Sequence, residues 1–319
     1  MIESYAPFSF DTLVWRWPIA VYLFLVGISV GAVTFSVFLK RKLGDDAGKS
    51  SIIKSTAILG PLMIVIGLTL LIFDLVRPWM FWKLMIHYQW TSVMAIGVML
   101  FQLYMVVLII WLAGIYRNEI EVLRQRFLKD RFSFIKPLLD YFVRHDRIVE
   151  AVLLVFAVML GAYTGFLLSV LKSYPMLNNP VLPALFLVSG LSSGIAAPIL
   201  MALVVFKEKA ESPDIAFLHR FEVPVVLGEL FLLVCLFAGL YYGGGQKVVA
   251  LLNALTVGFW AQVFWIGVLL IGIVAPLTIT LARPHSHGRG QLLLVCCLSL
   301  TGIFALRFFI LYGGQLTTL

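Results

Sequence analysis

The sequence predicts an all-α integral membrane protein, and two features of its composition lead to that class. Of the 319 residues, 61% are hydrophobic and only 13% are charged, and the mean hydropathy is +1.02. A soluble domain keeps about a quarter of its residues charged. Here the charges lie in short intervals between apolar stretches that are long enough to cross a bilayer. The formal net charge of +8 therefore reflects membrane topology, and a nucleic-acid-binding face is not expected.

Eight apolar runs of about 20 residues predict the transmembrane helices. They cover residues 17–39, 52–75, 91–115, 149–171, 181–206, 222–242, 256–281 and 291–312. The segment before the first run carries acidic and aromatic residues where a secretory signal would carry a basic region. The first run is therefore predicted to be a retained helix.

The distribution of Lys and Arg predicts the orientation. Eighteen of these residues lie in or beside the loops that follow spans 1, 3, 5 and 7, five lie on the other side, and Arg307 lies inside span 8. The basic side is cytoplasmic by the positive-inside rule. Both termini are therefore predicted to be periplasmic, in a bacterial inner membrane. The loop 116–148 contains an amphipathic stretch that suits a helix on the cytoplasmic surface.

An internal repeat predicts the domain organisation. The segment 23–31 (LFLVGISVG) returns as 185–194 (LFLVSGLSSG), about 162 residues later, and Pro61 and Pro224 share nearly the same offset. The interpretation is a parallel repeat of two four-helix bundles, residues 1–172 and 173–319. Small residues that allow close helix packing would produce the same likeness without duplication.

Several kinds of site are not expected. The three cysteines lie in apolar runs without a CxxC or CxxCH pattern. The histidines lie near the predicted membrane surfaces, so paired haem ligands at membrane depth are missing. His285 and His287 are interpreted as part of a solvated loop. We therefore predict no haem, iron–sulfur cluster or other metal in this chain.

Ionisable residues inside the predicted spans mark candidate functional groups, because charge in a bilayer is costly. Glu229 lies in span 6 with no basic residue in the same span, and it is a candidate for passing protons. Asp74 and Arg77 lie at the outer end of span 2, where they could pair across one helical turn or fix helix depth. Arg307 could neutralise a carboxylate, hold a polar ligand or reach the outer interface.

The outer interface around spans 1 to 3 is densely aromatic. Most of its rings, including Trp17 and Trp90, suit ordinary interfacial anchors. The segment 74–90 also supplies His87, and Tyr163 lies between two glycines in the outer half of span 4. Flat apolar faces with few polar groups suit a quinone ring, with Tyr163 or His87 donating a hydrogen bond to its carbonyl. Helix packing is the equally weighted role for Tyr163.

Five segments together resemble the NrfD family of membrane subunits, which includes the membrane anchor of polysulfide reductase. They are residues 17–25 (WPIAVYLFL), 77–85 (RPWMFWKLM), 161–169 (GAYTGFLLS), 179–187 (NPVLPALFL) and 307–312 (RFFILY). The resemblance covers essentially the whole sequence. It implies eight helices in two four-helix bundles, a menaquinone site near the periplasmic side, and a periplasmic iron–sulfur partner subunit.

The predicted function follows from this resemblance. It implies that menaquinol passes electrons to a four-cluster ferredoxin-like partner, then to a multihaem cytochrome c and to nitrite. The protein would be a quinol dehydrogenase subunit that is not active alone. The predicted quinone-binding residues are Tyr163, His87, Trp90, Trp17 and Arg307, and the predicted catalytic groups for protons are Asp74, Arg77 and Glu229.

Three alternatives remain open. The protein could serve a polysulfide or thiosulfate reductase. It could be a secondary transporter, which would also contain repeated helical units and buried carboxylates but should show helices broken at mid-membrane. It could also be a passive anchor that tethers a reductase, in which case Tyr163→Phe and Asp74→Asn would leave quinol oxidation unchanged.

Overall fold

The structure is a computed structural model that describes residues 7–127, 135–282 and 288–316, and every element in that part of the sequence except one isolated bridge is helical. Eight helices are long and apolar enough to cross a membrane. We number the membrane-spanning helices α1 to α8, and they cover Trp17–Leu43, Ser51–Phe73, Val93–Ile115, Asp146–Ser169, Leu182–Val204, Glu222–Tyr242, Gly258–Ala282 and Arg289–Gly313. The predicted fold class and all eight predicted spans are confirmed.

Local sequence sets several of the helix ends. Pro18 occupies the first turn of α1, where its missing N–H costs nothing, and Gly44 ends the helix at φ +59° with its N–H bonded to the Lys40 carbonyl. Ser92 caps α3 by accepting a hydrogen bond from the Ala95 N–H at 3.4 Å. Between these ends the backbone groups bond within each helix, as lipid requires.

Short helices connect the spans. Phe81–Ile86 follows α2, Arg117–Phe127 and Ile135–Arg144 lie between α3 and α4, Pro213–His219 precedes α6, and Gln246–Thr256 precedes α7. The amphipathic stretch predicted in loop 116–148, residues 127–144, corresponds to the third of these, Ile135–Arg144; Arg117–Phe127 lies before it, and residues 128–134 lie outside the described part. The tract with His285 and His287 also lies outside it.

The helix neighbours fall into two groups joined through α1 and α5. Helix α1 packs against α2 and α4, and α3 packs against α4; in the other half α5 packs against α6 and α8, and α7 packs against α8. Helix α5 also contacts α1, α2 and α4. Because α5 packs on helices of the first group as well as on α6 and α8, the arrangement as two four-helix bundles and the boundary at residue 172 stay predictions.

The repeated glycines meet where α1 crosses α5. A Cβ atom added to Gly31 would lie 2.2 Å from the Gly190 carbonyl oxygen, and one added to Gly194 would lie 2.1 Å from the Gly31 carbonyl carbon. The two backbones therefore touch, as small residues at a membrane helix crossing permit. The repeat thus has a packing role at this crossing, and duplication stays an interpretation.

The two ends of the helix array differ in composition. The end that carries Lys40, Arg41, Arg117 and Arg147 is called the basic end here, and the opposite end, with Trp17, Trp79, Trp82 and Trp90, is called the aromatic end. Three of these four tryptophans are at least half exposed and suit the membrane interface.

Candidate functional site

A cavity of about 250 Å³ lies between α1, α2, α3 and α4 at the aromatic end. It is lined almost entirely by apolar side chains, with two tyrosines and one glutamine as the polar groups. The lining residues are Tyr22, Leu68, Leu71, Ile72, Leu75, Phe81, Leu84, Met85, Met94, Val98, Phe101, Gln102, Met105, Tyr163 and Leu167. Its volume lies just below the range of about 300–1,000 Å³ that is typical of pockets for small molecules.

The cavity has a buried inner wall and an exposed outer rim. Tyr22, Phe101 and Tyr163 form the inner wall and are almost inaccessible to solvent, whereas Phe81, Leu84, Met85 and Met94 of the rim are each about two fifths exposed. A ligand would therefore enter from the membrane-exposed rim and place its leading edge against aromatic rings.

The position of the Tyr163 phenol depends on a glycine in the neighbouring helix. A Cβ atom added to Gly97 of α3 would lie 1.9 Å from Tyr163 Cζ and 2.0 Å from its hydroxyl oxygen. The ring of Tyr163 also stands edge-on to Phe101, with ring centroids 6.2 Å apart. Gly97 thus leaves room that the phenol fills, and any larger residue there would push the phenol away.

The hydroxyls of Tyr22 and Tyr163 are the free polar groups of the inner wall. Neither hydroxyl forms a hydrogen bond with any residue in the described part of the sequence. By contrast, Tyr104, which is fully buried in the same half, lies 3.0 Å from the Ser29 hydroxyl. Both tyrosines line the cavity, so an oxygen atom of a ligand there could supply the partner that these hydroxyls lack.

A small hydrogen-bond network closes the cavity on the side of the short helix Phe81–Ile86. Gln102 Nε2 donates to the Met85 carbonyl at 3.2 Å, and the Tyr88 hydroxyl lies 2.5 Å from Gln102 Oε1 and 2.6 Å from the Met85 carbonyl oxygen. The Gln102 amide is therefore committed to holding this helix over the cavity. That leaves the two phenols as the groups available to a ligand.

Among the residues predicted for the quinone site, all of which the structure describes, Tyr163 lines the cavity and the others do not. Trp17 and Trp90 are 52% and 70% exposed, as interfacial anchors are. His87 is exposed at the end of the short helix Phe81–Ile86. Arg307 is fully buried elsewhere.

The expected pairing of Asp74 with Arg77 is wrong. Helix α2 ends at Phe73, Asp74 caps its C-terminus, and Arg77 already precedes the next short turn. The two side chains therefore do not share a helix face, and among the described residues no ion pair joins them. The helix ends four residues before Arg77. Both groups are exposed just outside the cavity rim.

Glu229 and Arg307 form a second polar centre, inside the other half of the molecule. Both are buried, and each lies within range of the other's charge. Arg307 Nη2 donates to the Phe186 carbonyl at 3.0 Å, and its guanidinium lies 3.9 Å from the centre of the Phe186 ring. Its Nε and Nη1 atoms have no partner among the described residues.

Sequence reasoning missed Tyr22, Phe101 and Gln102. Tyr22 lies inside a segment that was used only as a family marker, and Phe101 is one apolar residue among many in α3. Gln102 carried a usable signal, since it is the one amide in the apolar helix Val93–Ile115. A polar side chain in such a helix marks a contact that lipid cannot supply.

The fold and the cavity define a multi-pass helical membrane protein with a mostly apolar cavity at the aromatic end of its first four helices. Residues 5–318 match the family model described as "Polysulphide reductase, NrfD". The sequence is 54% identical over 315 residues to the protein NrfD homolog of Haemophilus influenzae, covering 98% of this protein and 97% of the relative. It is 50% identical to protein NrfD of Escherichia coli, with 97% and 98% covered, and 43% identical to the C chain of polysulfide reductase from Wolinella succinogenes, with 96% of each covered.

These matches extend over nearly the whole length of this protein and of each relative. The chain belongs to the NrfD family of membrane proteins, and the resemblance seen in the sequence is confirmed.

Proposed function

We propose that this protein is the membrane subunit of a respiratory oxidoreductase and that it binds menaquinol in the cavity between α1 and α4. The observation that carries the proposal is the pair of free phenols, Tyr22 and Tyr163, in the inner wall of an apolar cavity at the aromatic end. When bound, a quinol supplies two electrons and two protons. The names of the relatives, one of which is a component of polysulfide reductase, support the assignment to a respiratory enzyme.

Each residue of the cavity has a role in this proposal. Tyr163 and Tyr22 hold the oxygen atoms of the ring by hydrogen bonds, and Phe101 packs against its face. Gln102 keeps the short helix Phe81–Ile86 in place and excludes water. Asp74, exposed at the aromatic end, accepts protons that leave the rim, and the cationic Arg77 beside it orients their release.

The aromatic end is assigned to the periplasm by the asymmetry of Lys and Arg. Electrons would leave there to a ferredoxin-like iron–sulfur subunit and then to a multihaem cytochrome c that reduces nitrite. A polysulfide or thiosulfate reductase is the alternative for the terminal acceptor, supported by the 43% identity to the polysulfide reductase relative. The genes of the neighbouring subunits would separate these acceptors.

Glu229 with Arg307 is proposed as a proton-carrying centre deeper in the membrane. The buried carboxylate lies within range of the charge of a buried guanidinium, whose Nε and Nη1 atoms have no partner among the described residues. A Glu229→Gln variant that keeps quinol oxidation but loses proton movement in reconstituted vesicles would support this role. A variant unchanged in both would contradict it.

Two features disfavour the transporter alternative. Within the described residues, helices α1 to α6 run without a break at mid-membrane, and Pro61 and Pro198 lie inside continuous helices. The wide π-helical turns of α7 and α8 also keep the backbone helical. Broken helices, which a substrate site of that class requires, are therefore not seen there.

The test is made on the protein purified with its partner subunits from membranes that contain menaquinone. We expect co-purified quinone and reduction of the downstream acceptor by a menaquinol analogue. Tyr163→Phe should weaken both, while Tyr104→Phe, which alters a buried tyrosine outside the cavity, should leave both unchanged. Equal activity in the unaltered protein, Tyr163→Phe and Tyr104→Phe would support a passive anchor and contradict the proposal.

A further inference from the structure

A second and larger cavity, of about 980 Å³, opens at the basic end between α1, α3 and α4. We call it the basic vestibule. It is lined by Lys40, Arg41, Gly44, Asp45, Ala47, Gly48, Gly114, Ile115, Arg117, Asn118, Val143, Asp146, Arg147 and Glu150. It lies at the opposite end of the first half from the proposed quinol cavity, and nothing in the proposed function uses it.

The inner charges of the basic vestibule are already paired. Lys40 donates to Asp146 Oδ2 at 2.5 Å and to Glu150 Oε1 at 3.0 Å, and Arg41 Nε donates to Glu150 Oε2 at 2.7 Å. Glu150 is buried, and its two cations offset the cost of that burial. The positive and negative charges of this part of the wall balance and are hydrogen-bonded to each other, so they do not require a ligand.

The charges at the mouth are not paired in the same way. Arg147 and Asp45 form no ion pair or hydrogen bond with another residue in the described ranges, and Arg117 makes only a long contact of 3.4 Å with Asp140, which is not part of the lining. All three lining groups are exposed. The mouth therefore offers two guanidinium groups and one carboxylate to a ligand.

The mouth lies at the ends of three membrane-spanning helices, where such helices reach the headgroup layer. It lies where α1, α3 and α4 end, beside the helices Arg117–Phe127 and Ile135–Arg144. The second of these is amphipathic by sequence, and such helices lie at the boundary between headgroups and acyl chains. Basic pockets between membrane helices on the cytoplasmic side bind the phosphate groups of lipids, best known for anionic lipids.

We propose that the mouth of the basic vestibule binds a phospholipid headgroup of the phosphoethanolamine type. Arg117 and Arg147 take the phosphodiester, because a guanidinium matches the geometry of phosphate oxygens. Asp45 takes the ammonium group. A zwitterionic headgroup fits a mouth that carries both signs of charge, and a purely anionic headgroup would leave Asp45 facing the phosphate.

The experiment uses the full-length protein, delipidated in detergent and exchanged into micelles that contain equal amounts of phosphatidylethanolamine and phosphatidylglycerol. Native mass spectrometry counts the retained lipid. We expect one phosphatidylethanolamine per protein molecule, retained at least fivefold over phosphatidylglycerol. Arg117→Gln combined with Arg147→Gln should lower retention at least tenfold, and Asp45→Asn should abolish the preference for ethanolamine while lipid still binds.

The matched control is Arg144→Gln, which removes an exposed cation beside the vestibule that is not part of its lining. Retention equal in the double variant and in this control would overturn the proposal. Equal retention of both lipids by the unaltered protein would also overturn it. Displacement of the lipid by equimolar glycerophosphoethanolamine or inorganic phosphate would show a soluble ligand and reject the lipid. Because these readouts involve no quinol, their failure leaves the proposed quinol site untouched.

Discussion

The two halves of the molecule differ most at the aromatic end, where one is hollow and the other is filled. In the first half the inner wall of Tyr22, Phe101 and Tyr163 faces a cavity. In the second half the corresponding end is filled by stacked rings, with Trp260 and Tyr312 only 4.9 Å apart and nearly parallel. The segment before α1 crosses to this end and adds Phe8, whose ring lies 5.3 Å from Trp260.

Hydrogen bonds fix that crossing segment. Gln315, fully buried at the end of α8, accepts hydrogen bonds from the N–H groups of Val14 and Trp15 at 2.8 and 2.9 Å, and its Nε2 donates to the Trp15 carbonyl at 3.0 Å. Trp260 Nε1 donates to the Pro7 carbonyl at 2.9 Å. The two helical groups thus differ at the aromatic end. The segment before α1 covers the second group there, and it leaves the cavity of the first group open.

The largest expected effect is on quinol oxidation, and it comes from filling the cavity of the first half. Gly97→Leu should push the Tyr163 phenol into the cavity and lower quinol oxidation roughly 100-fold, as a displacement of about 1 Å in a binding group can do. The measurement is acceptor reduction by a menaquinol analogue in the assembled complex. Gly228→Ala, whose added Cβ would meet only Val188 at an ordinary 3.6 Å, is the control. Full activity of Gly97→Leu would contradict the assignment of the cavity.

The next effect concerns the filled half. Gln315→Ala leaves the N–H groups of Val14 and Trp15 without their acceptor and should destabilise the protein by about 2–3 kcal/mol. The melting temperature in detergent measures this. Cleavage near residue 14 by added protease should rise together with the loss of stability. An unchanged melting temperature would show that the stacked rings hold the segment without Gln315.

A smaller effect is expected for the free phenol. Tyr163→Phe keeps the ring but removes one hydrogen bond to the ligand, worth about 1.4 kcal/mol, and should raise the KM for menaquinol roughly tenfold. Tyr174→Phe provides a second comparison, because its hydroxyl donates to the Thr12 carbonyl at the filled end. If Tyr174→Phe raised the KM and Tyr163→Phe did not, the ligand site would have to be moved to the second half.

The smallest effect is expected for Phe8→Ala. Half of this side chain is exposed, so its loss should cost about 1 kcal/mol of stability and leave quinol oxidation unchanged. Thermal unfolding and the quinol assay measure the two effects. Labelling by a photoreactive quinone sharpens the comparison further, since we expect it at Tyr163 and not at Trp260 in this variant. Label at Trp260 would mean that Phe8 alone keeps the second half closed.

The fold could be predicted from the sequence because few backbone conformations are stable in lipid. Each predicted span agrees with its helix within a few residues, since apolar runs must satisfy their own backbone groups. The candidate site was harder to predict from the sequence. Tyr163 could be found because glycines flank it, but the role of Gly97 depends on which helix packs against α4. No local pattern indicated that Tyr22 would face the same cavity.

The predicted pairing of Asp74 with Arg77 failed for a related reason. It assumed that α2 continues to Pro78, and the backbone leaves the helix after Phe73. Spacing of three residues carries meaning only inside a helix. Arg307 shows the opposite case, because its position in span 8 was predicted correctly while its neighbours on α5 and α6 depend on tertiary packing.

The glycine crossing of α1 and α5 limits how the two halves can move. At that crossing the backbones of the two helices are in direct contact. Gly31 lies against Gly190 and Gly194, and no side chain lies between them. Any rocking of one half against the other would first have to separate these two backbones. The crossing therefore ties the halves together through main-chain contacts alone, and a side chain added at Gly31 or Gly194 would force them apart.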